Sequence, residues 1–234
     1  MELSQRLKAA AREVGADLVG IADLAHFKDK GWVVIPRDLL GPYTSAVSVA
    51  VQLDDAIIDV IKDVPTPDYA QHYREVNTRL DGITARVVAW VEGHGFKATA
   101  IPASYVADEG NLLGAISHKA IARMAGIGWQ GKSLLIVSPQ YGPRIRLATV
   151  IADMPLVADK PMRNRCGTCN ECSKACPVAA IKNVPTDSRY ESREEALNLE
   201  RCAKRTLEVK EMPGIGVRAC GVCVRACPFG RRKK

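Results

Sequence analysis

Eight cysteines stand in this 234-residue chain, and every one lies after residue 165. The first run is Cys166-Gly-Thr-Cys169-Asn-Glu-Cys172-Ser-Lys-Ala-Cys176-Pro177. The second is Cys220-Gly-Val-Cys223-Val-Arg-Ala-Cys227-Pro228, with Cys202 standing 18 residues before Cys220. Cysteines clustered this way in a reducing compartment read as metal ligands rather than disulfides. The first run has the spacing of bacterial iron–sulfur proteins with two clusters, in which the fourth cysteine serves the other cluster. Three thiolates on a tight loop cap three corners of one cubane. The fourth cysteine is expected to open a helix leading away, with proline fixing φ at its first turn. Applied twice, this predicts two [4Fe–4S] clusters. Cluster 1 takes Cys166, Cys169, Cys172 and Cys227; cluster 2 takes Cys176, Cys202, Cys220 and Cys223. The alternative is tetrahedral zinc, which also suits paired C-x₂-C spacing but not a third cysteine followed by x₃-C-P.

Charge follows the cysteines. The chain carries +7, and residues 160–234 hold 17 Lys and Arg against 8 Asp and Glu. Residues 1–159 hold 16 against 18. The basic excess either compensates two anionic clusters, each about −2 when oxidised, or offers a surface for nucleic acid.

The first part alternates short helices and short strands. Helices are predicted over 3–14 and from about 67 to 93, and Ser117 is the predicted N-cap of a helix to 125. Strands are predicted over 17–24, 43–53, 96–101, 134–137 and 145–151. One further helix is predicted from about 188 to 210. The expected organisation is α+β, with a 1–157 α/β core followed by a 158–234 two-cluster, ferredoxin-like domain. No apolar run reaches the roughly 18 residues of a membrane span, and the first residues lack a signal-peptide pattern, so a cytoplasmic protein is expected.

Gly126-Ile-Gly128-Trp129-Gln130-Gly131-Lys132-Ser133 matches both the dinucleotide and the phosphate-loop patterns. Both need a strand before the loop and a helix after it. Here a helical segment precedes and a strand-like one follows, which argues against nucleotide. The glycines still imply a close backbone approach or a sharp turn. Trp129 is either cover for a flat cofactor or an ordinary core residue.

Met124–Lys132, then Ser138-Pro-Gln-Tyr141-Gly142-Pro-Arg-Ile-Arg146, then the double cysteine motif resemble epoxyqueuosine reductases and the corrinoid-dependent reductive dehalogenases. The resemblance covers residues 105–234 well and the first hundred loosely. It implies a nitroreductase-like α/β core that holds a cobalamin, supplied with electrons by the two-cluster domain. It assigns Gly126, Gly128, Trp129, Gly131, Lys132, Tyr141 and Gly142 to the corrinoid-facing wall. The family's acidic proton donor counts back to a position near Leu112, so Asp108, Glu109 and Tyr105 are the catalytic candidates here. His118, beside the glycine loop, is either a proton donor or a residue that only starts its helix.

Together these imply a reductase passing electrons through two clusters to bound cobalamin. Its electron donor would be a low-potential ferredoxin or flavodoxin. The alternatives are a carrier docking on a separate corrinoid protein and an epoxyqueuosine reductase acting on tRNA. In the last case the basic C-terminal tail holds the RNA.

Overall fold

The computed structural model describes residues 2–29 and 32–231. Their elements, in chain order, are α1 (Glu2–Glu13), β1 (Leu18–Asp23), α2 (Ala25–Asp29), β2 (Ser45–Gln52), α3 (Asp55–Asp59), α4 (Pro67–Glu92), β3 (Ala98–Ile101), α5 (His118–Met124), β4 (Trp129–Gln130), β5 (Ile136–Val137), β6 (Ile145–Ala152), α6 (Glu171–Ala175), α7 (Arg193–Ala196), α8 (Leu199–Lys210) and α9 (Val222–Ala226). The architecture is mixed α+β, with the cysteine-rich segment toward the C-terminus. The long segments follow the residue pattern. Two predicted elements differ. The helix expected over 188–210 breaks into α7 and α8, because Leu197 is extended and bridges Ile181. Asn198 then caps α8, its side chain accepting from the Arg201 amide. The strand expected from Leu134 begins at Ile136, because Leu134 turns with φ +60.

The chain forms two compact units that no single cut separates. The first comprises residues 1–51, 76–127 and 146–161; the second comprises 52–75, 128–145 and 162–234. A boundary at 157/158 assigns 52–75 and 128–145 to the core, whereas they cluster with the cysteine-rich segment.

In the first unit, a four-stranded sheet runs in the order β1-β2-β6-β3, with β1 antiparallel to β2 and β3 to β6. β2 and β6 bury almost every residue, as central strands of a covered sheet do. α1 packs on β1 through Leu7 and Ala11. α5 crosses the same strand so closely that a Cβ on Gly20 would sit 2.1 Å from the Ala125 carbonyl oxygen. The buried Lys8 ammonium meets Asp159 at 2.6 Å, and the other Asp159 oxygen accepts from the Ile21 amide. That pairing ties the 155–160 segment to the edge strand.

The second unit has little regular structure. Its cores are small: Leu134, Ala180, Ile181, Tyr190, Ala196 and Leu197 form one, with Cys172, Cys176, Cys202 and Cys223 packed against it. Ala70, Val209 and Ile215 form another. Buried Arg144 donates to Asp55 and Asp59 on α3. Burial opposes its charge, but the two carboxylates outweigh that and raise its pKa.

Candidate iron–sulfur centre

The two cysteine runs fold alike. Cys172 lies inside α6 and Cys176 caps its C-terminus; Cys223 lies inside α9 and Cys227 caps it. The last cysteine of each run therefore closes a short helix rather than opening one. Its extended backbone (ψ 112 at Cys176, ψ 129 at Cys227) is the conformation a following proline enforces. α6 and α9 pack on one another, so each helix brings its last cysteine to the other run.

Burial raises the pKa of Cys172, and Cys166 and Cys169 raise it further. Burial pushes Cys227 up to about 12, with Cys166, Cys172 and Cys169 adding to the shift. Cys223 is raised by burial and then by Cys220, Cys202, Cys172 and Cys176. The neighbours of Cys227 are thus the first three cysteines of the first run. Those of Cys223 are Cys220, Cys202 and both Cys172 and Cys176. Four thiolates held together under this much burial need a compensating cation, and cluster iron supplies one. Among the described residues, no three His, Cys, Asp or Glu side chains are placed to share a single metal ion. Thiolates at the corners of a cube stand further apart than ligands converging on one ion.

The glycine loop packs on the first cysteine run. Buried Trp129 points its indole Nε1 at Cys166 Sγ, 3.4 Å away. Buried Lys132 donates from Nζ to the Cys169 carbonyl at 2.8 Å. Asn164 links the two segments, donating to the Gln130 carbonyl and accepting from the Cys166 amide. A Cβ on Gly128 would lie 2.3 Å from the Val137 oxygen, and one on Gly142 would lie 1.9 Å from the Phe229 oxygen. One on Gly131 would lie 2.9 Å from Val137 Cγ2. Tyr141, half-buried, donates its amide to Ser138 Oγ. Gly126 belongs to the first unit and ends α5 with φ +66; its amide bonds Arg123 and that of Ile127 bonds Ala122, the double bond of a glycine helix stop. Gly126, Gly128, Gly131, Gly142, Trp129 and Lys132, which the resemblance assigned to a corrinoid, all make close contacts within the chain.

Asp108, Glu109 and Tyr105 lie in the first unit on a surface loop, and Tyr105 is 54% exposed. Asp108 accepts from the Asn111 side chain at 2.8 Å and from its amide at 2.9 Å. Those bonds hold its carboxyl below the usual carboxylate range. His118 is bonded on both ring nitrogens, to Thr149 Oγ1 at 2.8 Å and the Pro102 carbonyl at 3.1 Å. Burial lowers its pKa to about 4. It is neutral at pH 7: Nε2 donates to Pro102 and Nδ1 accepts from Thr149. The residues after Arg231 in the basic tail lie outside the described residues. Sequence reading placed Trp129 and Lys132 on a cofactor wall; their contact with the first cysteine run left no local signal in the chain.

Comparison with known proteins agrees with the motif-based resemblance. Residues 165–230 match the 4Fe-4S double cluster binding domain. Half of this chain is 31% identical to epoxyqueuosine reductase of Listeria monocytogenes, covering 31% of that protein. The chain spans about a third of the length of the first curated relatives it matches. An epoxyqueuosine reductase solved with an epoxyqueuosine-modified tRNA-Tyr stem loop superposes with a TM-score of 0.63 at 24% identity, over 98% of this chain and 65% of that one. A reductive dehalogenase whose structure suggests a mechanism for B12-dependent dehalogenation superposes at 0.77 and 22% identity, over 97% of this chain and 31% of that one. The two likenesses show the fold. No helix among the described residues is long and apolar enough to cross a membrane.

Proposed function

We propose that this chain is an iron–sulfur reductase that relays electrons through two [4Fe–4S] clusters to a cobalamin-type acceptor, which then reduces a substrate. The observation that supports it is the packing of α6 on α9, with Cys172, Cys176, Cys202 and Cys223 gathered against one small core. Each cubane, when bound, supplies a one-electron carrier. The chain's own residues set how it is held. Cys166, Cys169, Cys172 and Cys227 hold one, and Cys176, Cys202, Cys220 and Cys223 hold the other. Leu134, Tyr190 and Leu197 keep water from the sulfurs on the inner side.

Of the three catalytic candidates, Asp108 is the least suited to give a proton, since its bonds to Asn111 favour the carboxylate. Glu109 and Tyr105, both exposed, carry that role in this reading. The electron donor is a low-potential ferredoxin or flavodoxin.

The test is anaerobic reconstitution followed by cobalamin addition. Cobalamin retained through gel filtration, and reduced by the photoreduced protein, supports the reading. Reduction without retention supports the second reading, a carrier that docks on a separate corrinoid protein; the intrachain use of the glycine loop favours that reading. The epoxyqueuosine reductase relatives support a third, a tRNA substrate held by the basic second unit. Turnover of an epoxyqueuosine stem-loop, weakening steeply with salt, would decide for it.

A further inference from the structure

Residues 128–132 meet the cysteines in a way packing alone does not require. The Trp129 indole is fully buried, and its one polar atom is aimed at a ligand sulfur. Its ring is fixed edge-on by Phe229 at 4.8 Å and 81°. The Arg165 guanidinium stands 5.6 Å from the ring centroid. Lys132 keeps an ammonium buried beside the backbone of Cys169, three residues further along the same cysteine run. In the other set of sulfurs, the Ala180 backbone amide donates to Cys176 at 3.3 Å.

We propose that Trp129 and Lys132 are potential-setting residues that raise the reduction potential of the Cys166–Cys169–Cys172–Cys227 cluster. The physical reason is charge. One-electron reduction adds a negative charge spread over the sulfurs, and no bond is made or broken. An N–H donor to a ligand sulfur and a fixed cation in a low-dielectric wall both stabilise the reduced state more than the oxidised one. The glycines serve this placement: Gly128 and Gly131 let β4 lie against β5, so that Trp129 and Lys132 reach the cysteine loop.

This inference rests on the two-cluster reading, and the experiment separates the two. The probe is anaerobically reconstituted full-length protein, titrated with dithionite and followed by electron paramagnetic resonance. Wild type that binds no iron, or only zinc, refutes the two-cluster reading itself. With two clusters present, Trp129→Phe keeps the ring and removes the N–H; Lys132→Met keeps the stem and removes the charge. Each should lower the potential of one cluster by at least tenfold in its reduction equilibrium, about 59 mV for one electron. The other cluster should stay put, and Lys132→Arg should restore most of the loss. Intact clusters with unmoved potentials in both variants overturn the proposal. Loss of that one cluster in both variants also overturns it, by showing that the two residues serve assembly instead.

Discussion

Arg144 donates from Nη1 to Asp55 over 2.7 Å, with its own side chain wholly buried. A second arm reaches Asp59 at 2.6 Å, but that carboxylate is 60% exposed. The two contacts look alike in length and differ in worth, because water screens the second. Asp59→Asn should cost less than about 1 kcal/mol. Arg144→Met, which strips two carboxylates of their partner, should cost about 3–5 kcal/mol, and Asp55→Asn should fall between. Urea midpoints of the reconstituted variants measure this; equal losses for the two aspartates would contradict the ranking.

Double cysteine variants test the exchange of ligands. Cys166→Ser with Cys227→Ser should retain about four irons, since both belong to one cubane. Cys166→Ser with Cys176→Ser damages both cubanes and should retain far fewer. Iron and sulfide analysis after anaerobic purification reads the difference. Wild type should carry about eight of each.

Iron removal should loosen the second unit before the first, because clusters bind only the folded ligand set. Hydrogen exchange should show lost protection not only over residues 162–231 but also over 128–137, which pack on the cysteines through Trp129 and Lys132. Loss confined to residues after 162 would contradict the interleaved division.

Acid should weaken the first unit through His118. Its pKa falls from 6.5 to about 4 on folding, chiefly by burial, with Arg146 adding to the fall and the Pro102 carbonyl and Asp81 opposing it. The unfolded chain therefore binds the proton first. Stability from this group is present above about pH 6.5 and is lost as pH falls toward 4, by roughly 1–3 kcal/mol. His118→Phe should remove that slope between pH 6.5 and 4. A variant whose pH profile parallels the wild type would show that His118 does not titrate in this window.

Local pattern was enough for much of this chain. Apolar spacing marked α1 and α4, and Ser117 marked the start of α5 because its side chain accepts from an amide three residues on. The cysteine spacing alone named the metal chemistry, since a cubane demands four thiolates and the chain supplies eight in two runs. Those signals reside within a few residues of one another, where backbone geometry is decided. What the tertiary structure decided depends on partners far along the chain. The order of residues does not show that Trp129 meets Cys166, 37 positions on, or that His118 spends both ring nitrogens on Thr149 and Pro102. Nor does helical periodicity foresee that Leu197 pairs with Ile181 and breaks a helix. A phosphate-loop pattern became the wall of a cysteine loop for the same reason. Glycine grants close approach, but only the folded chain determines what approaches.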